Sequence, residues 1–289
     1  DYLPLRGEAV GAEDWISRTL FGEPPQLGQQ HQDSGPVPGQ LAPQTGRNAP
    51  EQQQAAGFPA VIEGKDDWLY LGSDVLLACQ PERQLDDVLA SIDKLRTAVE
   101  SSGREFVLVV APNKTTMVPE HLPDSYAGAT CSRQKRSDFW QRVVVDGGAV
   151  DVRPVLESAA TRIGSPLYSK MDSHWTFAGA LAMTAVIAEK IEPGVTASWQ
   201  TTPSVRLDRF GDLPRLIGRS GSDKLQAYDL MPDGHTVLSK PIDREFREPL
   251  ELRQPASQGV VRASVGMVAD SFTLPATPYL AGGFADVTI

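Results

Sequence analysis

Apolar positions along this chain fall into helical, continuous and alternating rhythms that mark out its elements. Leu85, Val88, Leu89, Ile92, Leu95 and Val99 recur at helical spacing, and Gly103 supplies a stop. Directly after it, Phe106 to Ala111 (FVLVVA) is continuously apolar and breaks at Pro112, the mark of a buried parallel strand. Upstream, VIEGKDDWLYLG (61–72) alternates like a hairpin turned at Gly64 to Asp67, with Trp68 and Tyr70 packing a sheet face in preference to stacking on a ligand. Downstream, 133–142 reads as a short helix, VVVDGGAVDV as a buried segment ending near Asp151, and Pro154 as the first turn of a further helix. Thr176 starts another helix that Phe177, Leu181, Ala185 and Ala188 continue and Pro193-Gly194 end. From 201 to 258 the pieces are polar and β-prone, and are expected to rim a site. Ala263 to Ala269 reads as a strand, followed by a helix up to Leu280 and a strand over 285–289. Helix followed by buried strand is α/β alternation.

Composition divides the chain. Residues 1–22 carry Val10, Trp15, Ile16, Leu20 and Phe21, enough for a short docking helix. Residues 23–57 turn to Pro, Gly, Gln and Ser and read as a flexible insertion, which leaves 58–289 as the folded domain. The formal charge of -10 argues against nucleic acid, and no apolar run approaches membrane-spanning length. Cys79 and Cys131 lie in polar connecting stretches without metal-ligand spacing. They are either a disulfide, which implies an oxidising compartment outside the cytoplasm, or two unrelated buried thiols.

Candidate chemistry sits at the ends of these elements. Asp172 and His174 lie on the loop that feeds the helix after Thr176, and Ser271 lies just beyond the strand at 263–269. A hydroxyl, a base and a carboxylate to orient the base are the parts of a nucleophilic triad. The alternative is a helix-capping Ser271 and a structural Asp172–His174 pair. Asn113 and Lys114 follow the FVLVVA strand, where α/β sheets bind ligands. The other asparagine, Asn48, falls in the insertion, so Asn113 is the side-chain amide to consider for an oxyanion; backbone amides are the alternative. Lys114 is either a substrate-side cation or a surface one. His31, His121 and His235 are scattered, which gives His174 no partner for a metal.

GKDDWLYLG, APNK with a downstream PEHLP, DSHW before an alanine/glycine-rich helix, and ADSF together resemble the SGNH-hydrolase-like family of the alginate O-acetyltransferases, the AlgX and AlgJ type. The likeness runs from Val61 to the end, and PLRG near the start resembles the family's opening segment. It implies an SGNH-type three-layer α/β/α domain with a mostly parallel central sheet, placed outside the cytoplasm. It also implies a Ser271–His174–Asp172 triad, no cofactor, a glycan acceptor, and a membrane-bound O-acyltransferase that hands over the acyl group. Two departures are visible. Ala269 stands where the family usually has glycine, and the family usually continues well past its serine motif, so a shortened C-terminal end is expected here. A carbohydrate esterase with the same triad, and a catalytically silent glycan-binding subunit, are the competing readings.

Overall fold

The computed structural model describes residues 57–239 and 249–289. The docking helix expected over 1–22 and nearly all of the insertion at 23–57 lie outside them.

The hairpin forms as the alternation predicts: β1 (Val61–Glu63) pairs antiparallel with β2 (Leu69–Leu71). Its turn bends through Asp66 and Asp67, both at positive φ (52° and 63°), a region that aspartate tolerates better than most residues. Trp68 and Tyr70 are buried, and the Tyr70 hydroxyl donates to the Val118 carbonyl at 2.6 Å. They serve the core, as their alternation suggested. His121 stacks on Trp68 with centroids 4.8 Å apart, and His235 is exposed beyond its turn.

Helix α1 (Gly72–Cys79) follows at once, then α2 (Leu85–Ser101), close to the expected span. After a one-turn helix α3 (Lys114–Met117) comes α4 (Ala129–Val145). This helix is longer than the 133–142 expected, and it absorbs Val143 to Val145, which the apolar run had assigned to a buried segment. Cys79 at the end of α1 and Cys131 in α4 are joined as a disulfide, with Cα atoms 5.6 Å apart. Helix α5 (Arg153–Ile163) begins with Pro154 in its first turn.

The FVLVVA segment is extended, but it makes a single parallel bridge, Val109 to Val150, and no continuous ladder. Its side chains nonetheless alternate between two layers. Leu108 and Val110 pack with Trp140, Val143 and Ala149, while Val109 and Ala111 face the main core. Helix α6 (Phe177–Ile191) runs through that core, burying Phe177, Ala180, Met183, Thr184, Ile187 and Ala188 along one stripe. Its start is the predicted one: Thr176 is the cap, and its hydroxyl accepts from the Gly179 N–H.

The remaining chain is mixed. A long ribbon pairs β3 (Gln200–Phe210) with β4 (Ser222–Met231) antiparallel, and the short helix α7 (Asp212–Leu216) sits in the connection between them. A three-stranded sheet follows: β5 (Glu251–Arg253), then β6 (Val261–Gly266) and, after helix α8 (Thr277–Gly283), β7 (Phe284–Thr288). In it β7 is central, parallel to β6 and antiparallel to β5. The class is α/β, with parallel pairing at β6–β7 and at the Val109–Val150 bridge, and antiparallel pairing in the other ladders.

Candidate active site

Two short segments build the site. The first is the loop from Leu167 to Thr176, closed at its base by an antiparallel bridge between Tyr168 and Trp175 and by the Thr176 N–H on the Leu167 carbonyl at 2.7 Å. A loop this close to the interior must satisfy its own backbone, and other elements reach in to do so. The Lys114 ammonium donates to the carbonyls of Ser169 (2.8 Å), Lys170 (3.2 Å) and Asp172 (2.6 Å). The Leu69 N–H donates to Lys170, and the Leu213 N–H to Met171 (3.2 Å). Asp223 on β4 accepts from the Met171 N–H at 2.9 Å and from the Ser169 hydroxyl. Gly211 fits because it has no side chain: a Cβ there would sit 1.9 Å from the Met171 carbonyl oxygen.

The second segment runs from the end of β6 to the 3-10 turn Ser271–Ala276. Asp270 caps that turn, its carboxylate accepting from the Phe272 N–H at 3.0 Å, which brings Ser271 to the front. Ser271 itself is not the cap. The two segments latch together beside Ser271 and His174. The Trp175 indole N–H donates to the Phe272 carbonyl at 2.8 Å, and the Phe272 ring lies edge-on to Trp175 and against His174, at 5.1 and 4.8 Å.

Within this frame Ser271 Oγ is 2.8 Å from His174 Nε2, and His174 Nδ1 is 2.7 Å from Asp172 Oδ1. The structure brings together Ser271, His174 and Asp172, 97 and 2 residues apart in sequence. Burial works against charge on the His174 ring, but the Asp172 hydrogen bond and the charges of Asp172, Asp212 and Asp270 outweigh it and hold its pKa above 6.5. Burial likewise works against the Asp172 carboxylate, yet the His174 contacts prevail and keep it below the usual range. An ionised carboxylate only accepts, so the neutral imidazole carries its proton on Nδ1 and presents Nε2 as acceptor to the Ser271 hydroxyl.

Asn113 and Lys114 do not join that chain of hydrogen bonds. Asn113 caps α3, its side-chain oxygen accepting from the Thr116 N–H (3.1 Å) and from the Thr115 and Thr116 hydroxyls (2.9 and 2.6 Å). That orientation leaves its amide N–H groups without an acceptor among the described residues. Lys114 is a correction. It is 1% exposed and its three N–H donors go to loop carbonyls, so none is left for an oxyanion or a substrate. Burial lowers its pKa to about 8, against the pull of Asp172, Asp212, Asp223 and Asp74.

Three acids of this cluster were not singled out in the sequence. Asp223 is a strand residue pairing with Arg209, and Asp74 opens α1, where burial, with a contribution from Asp212, raises its pKa to about 7 despite Lys114 and Arg136. Asp212 begins α7 and faces the histidine loop, accepting from the Ser173 N–H at 2.8 Å and from the Ser173 hydroxyl. Burial and then the charge of Asp172 raise it. A Gly-Asp pair after a strand was its one visible signal, and it reads as a helix start. Asp172, His174 and Asp212 are close enough to surround a cation, but the two His174 nitrogens already face Asp172 and Ser271.

The profile of the family described as "SGNH hydrolase-like domain, acetyltransferase AlgX" matches residues 61–245. The chain belongs to that family. Among known relatives, the probable alginate O-acetylase AlgJ of Pseudomonas syringae pv. tomato is 32% identical over 158 residues, covering 51% of this chain and 40% of that protein. The AlgJ of Pseudomonas fluorescens is 29% identical over 136 residues, covering 47% and 34%. The chain thus matches less than half the length of these relatives. The solved O-acetyltransferase domain of Pseudomonas putida AlgJ superposes with a TM-score of 0.50 at 19% identity, covering 78% of each chain. Pseudomonas aeruginosa AlgX gives 0.50 at 18% identity, over 78% of this chain and 52% of its own. These likenesses support the SGNH-like fold expected for the AlgX family.

Proposed function

We propose that the protein is an O-acyltransferase, acetyl being the group moved, that esterifies hydroxyls of a cell-surface or secreted polysaccharide through an acyl-Ser271 intermediate. The observation that carries this reading is the unbroken run of contacts from Ser271 Oγ through the His174 ring to Asp172. His174 Nε2 takes the hydroxyl proton as Oγ attacks the acyl carbonyl carbon, and Asp172 stabilises the imidazolium. Collapse of the tetrahedral adduct expels the donor's leaving group, which receives that proton, and leaves an ester on Ser271. A sugar hydroxyl then gives its proton to Nε2 and attacks the ester; Ser271 leaves as the alcohol after taking the proton back. The Ser271 amide and the amide of Asn113, which has no acceptor among the described residues, are the donors proposed for the negative oxygen, each worth about 3 kcal/mol.

Family membership and the names of the AlgJ relatives support acetyl transfer and a polysaccharide acceptor related to alginate. The Cys79–Cys131 disulfide supports a location outside the cytoplasm. A membrane-bound acyltransferase as acyl donor completes the reading; no described helix is long and apolar enough to cross a membrane.

The test is intact-protein mass spectrometry after incubation with an activated acetyl ester, with and without a glycan acceptor. Wild type is expected to gain one acetyl group that the acceptor removes, while Ser271→Ala and His174→Ala gain none. Loss of the acetyl group to water at the same rate with or without acceptor would make the protein an esterase. An unlabelled wild type that also resists a sulfonyl fluoride would make it a silent binding subunit.

A further inference from the structure

The proton path described above uses one carboxylate, yet a second comes within 4.0 Å of the same imidazole nitrogen. Asp212 reaches the site from the β3–α7 connection, and its Oδ2 lies 4.0 Å from His174 Nδ1 with a side chain only 15% exposed. The two acids are interlocked. The Asp212 N–H donates to Asp172 Oδ2 at 3.3 Å, while the Ser173 N–H and hydroxyl donate to the two oxygens of Asp212. The Ser173 hydroxyl oxygen is also 3.3 Å from His174 Nδ1, so it sits between the ring and the second acid. The Ser173 bonds account for the reach of the Asp212 side chain across the neighbouring loop, and the same reach brings its Oδ2 up to the imidazole nitrogen. Two carboxylates this close repel, and the arrangement suits a site in which a positive charge appears between them.

We propose that Asp212 is a second positioning carboxylate for His174, stabilising the imidazolium that forms during proton transfer and backing up Asp172. This rests on the reading of His174 as the base for Ser271. The other charged groups facing the ring are Asp172 on its own loop, Asp270 ahead of Ser271 and Asp74 from α1, with Lys114 behind the loop carbonyls. Among the described residues, Asp172 and Asp212 are the two acids that approach Nδ1 within 4.0 Å.

The decisive measurement is the titration of His174 by NMR of its ring C–H groups, assigned through His174→Gln and compared across wild type, Asp212→Asn and Asp146→Asn. Asp146 is a control, an acid paired with Arg142 at the far end of α4. Asp212→Asn is expected to lower the His174 pKa while Asp146→Asn leaves it in place, and the acid limb of the transfer rate is expected to move with it. Asp172→Asn should keep a residual transfer rate that Asp172→Asn/Asp212→Asn reduces about tenfold further. Ser173→Ala, which cuts the hydroxyl tie but keeps both charges, should leave the pKa raised.

A His174 pKa in Asp212→Asn equal to that of the control overturns the proposal, as does a fall in Ser173→Ala as large as in Asp212→Asn. Asp212→Ser replaces Asp212→Asn in the same titration if the latter does not fold. A shifted titration with no change in transfer rate would break the functional reading instead of the electrostatic one.

Discussion

The two segments that meet at the site are built in opposite ways. The histidine loop is held from four directions, by Lys114, Leu69, Asp223 and Leu213, and it carries Lys114 almost wholly buried against its carbonyls. The approach to the serine is open: Val268 is 80% exposed, and Ala269 and Asp270 are exposed as well. In the proposed mechanism the half that keeps a proton acceptor in one orientation is rigidly satisfied, while the half that admits an acyl donor and then an acceptor meets solvent. Changes at the serine should therefore affect rate alone, and changes under the loop should affect rate and stability together.

The sharpest break is Ser271→Ala, expected to reduce acyl transfer by about 10³-fold or more in an acetyl-transfer assay, with a melting temperature close to wild type. Lys114→Met comes next. It strands three carbonyls, and is expected to cost roughly 3 kcal/mol in urea unfolding as well as most of the activity. If the loop needs no such support, the variant will unfold like wild type. Cys79→Ser/Cys131→Ser opens a bridge between residues 52 apart and should cost about 2–4 kcal/mol. The rate per folded molecule should be unchanged, because the bridge lies outside both segments.

A pH profile sharpens the comparison. In the proposed mechanism His174 must be neutral to take the proton, and its pKa is raised, so the rate is expected to fall as pH drops through a value above 6.5. Lys114 should impose an alkaline limb near its lowered value of about 8, since a neutral amine has two N–H groups for three carbonyls. The linkage signs differ from this. The raised His174 contributes stability that is fully present below 6.5 and lost as pH rises through its folded value. The depressed Lys114 carries a burial cost that is relieved between about 8 and 10.5, so the alkaline loss of activity should come without loss of stability from this group. Parallel rate and unfolding measurements check both limbs. The smallest effect is expected from Trp175→Phe, which keeps the ring packing but loses the bond to Phe272, at about 1 kcal/mol and a few-fold in rate.

How much of this could be read from the residues depended on distance along the chain. The elements with a local signature were legible: the hairpin at 61–71 and the helices starting near Leu85 and Phe177. So was the possibility of a triad, because DSHW and ADSF each place their polar residues at the end of an apolar element. The FVLVVA run announced burial correctly in part, with side chains facing two layers, but not its pairing, since hydrogen-bond ladders depend on a partner that here is only a few residues long. The extent of α4 was hidden because Val143 to Val145 fit either a helix end or a strand. Lys114, Asp212 and Asp223 owe their roles to contacts 39 to 58 residues away, so nothing in their immediate surroundings marks them.

The indole of Trp175 carries no charge, and neither does the Phe272 carbonyl it meets. One of the struts between Ser271 and the His174 ring is therefore indifferent to acidity, unlike the Lys114, Asp223 and Asp270 contacts that hold the two segments. As His174 gains a proton in a mild drop in pH, that strut would keep the two segments latched, so in the proposed mechanism activity would return without their having to find one another again.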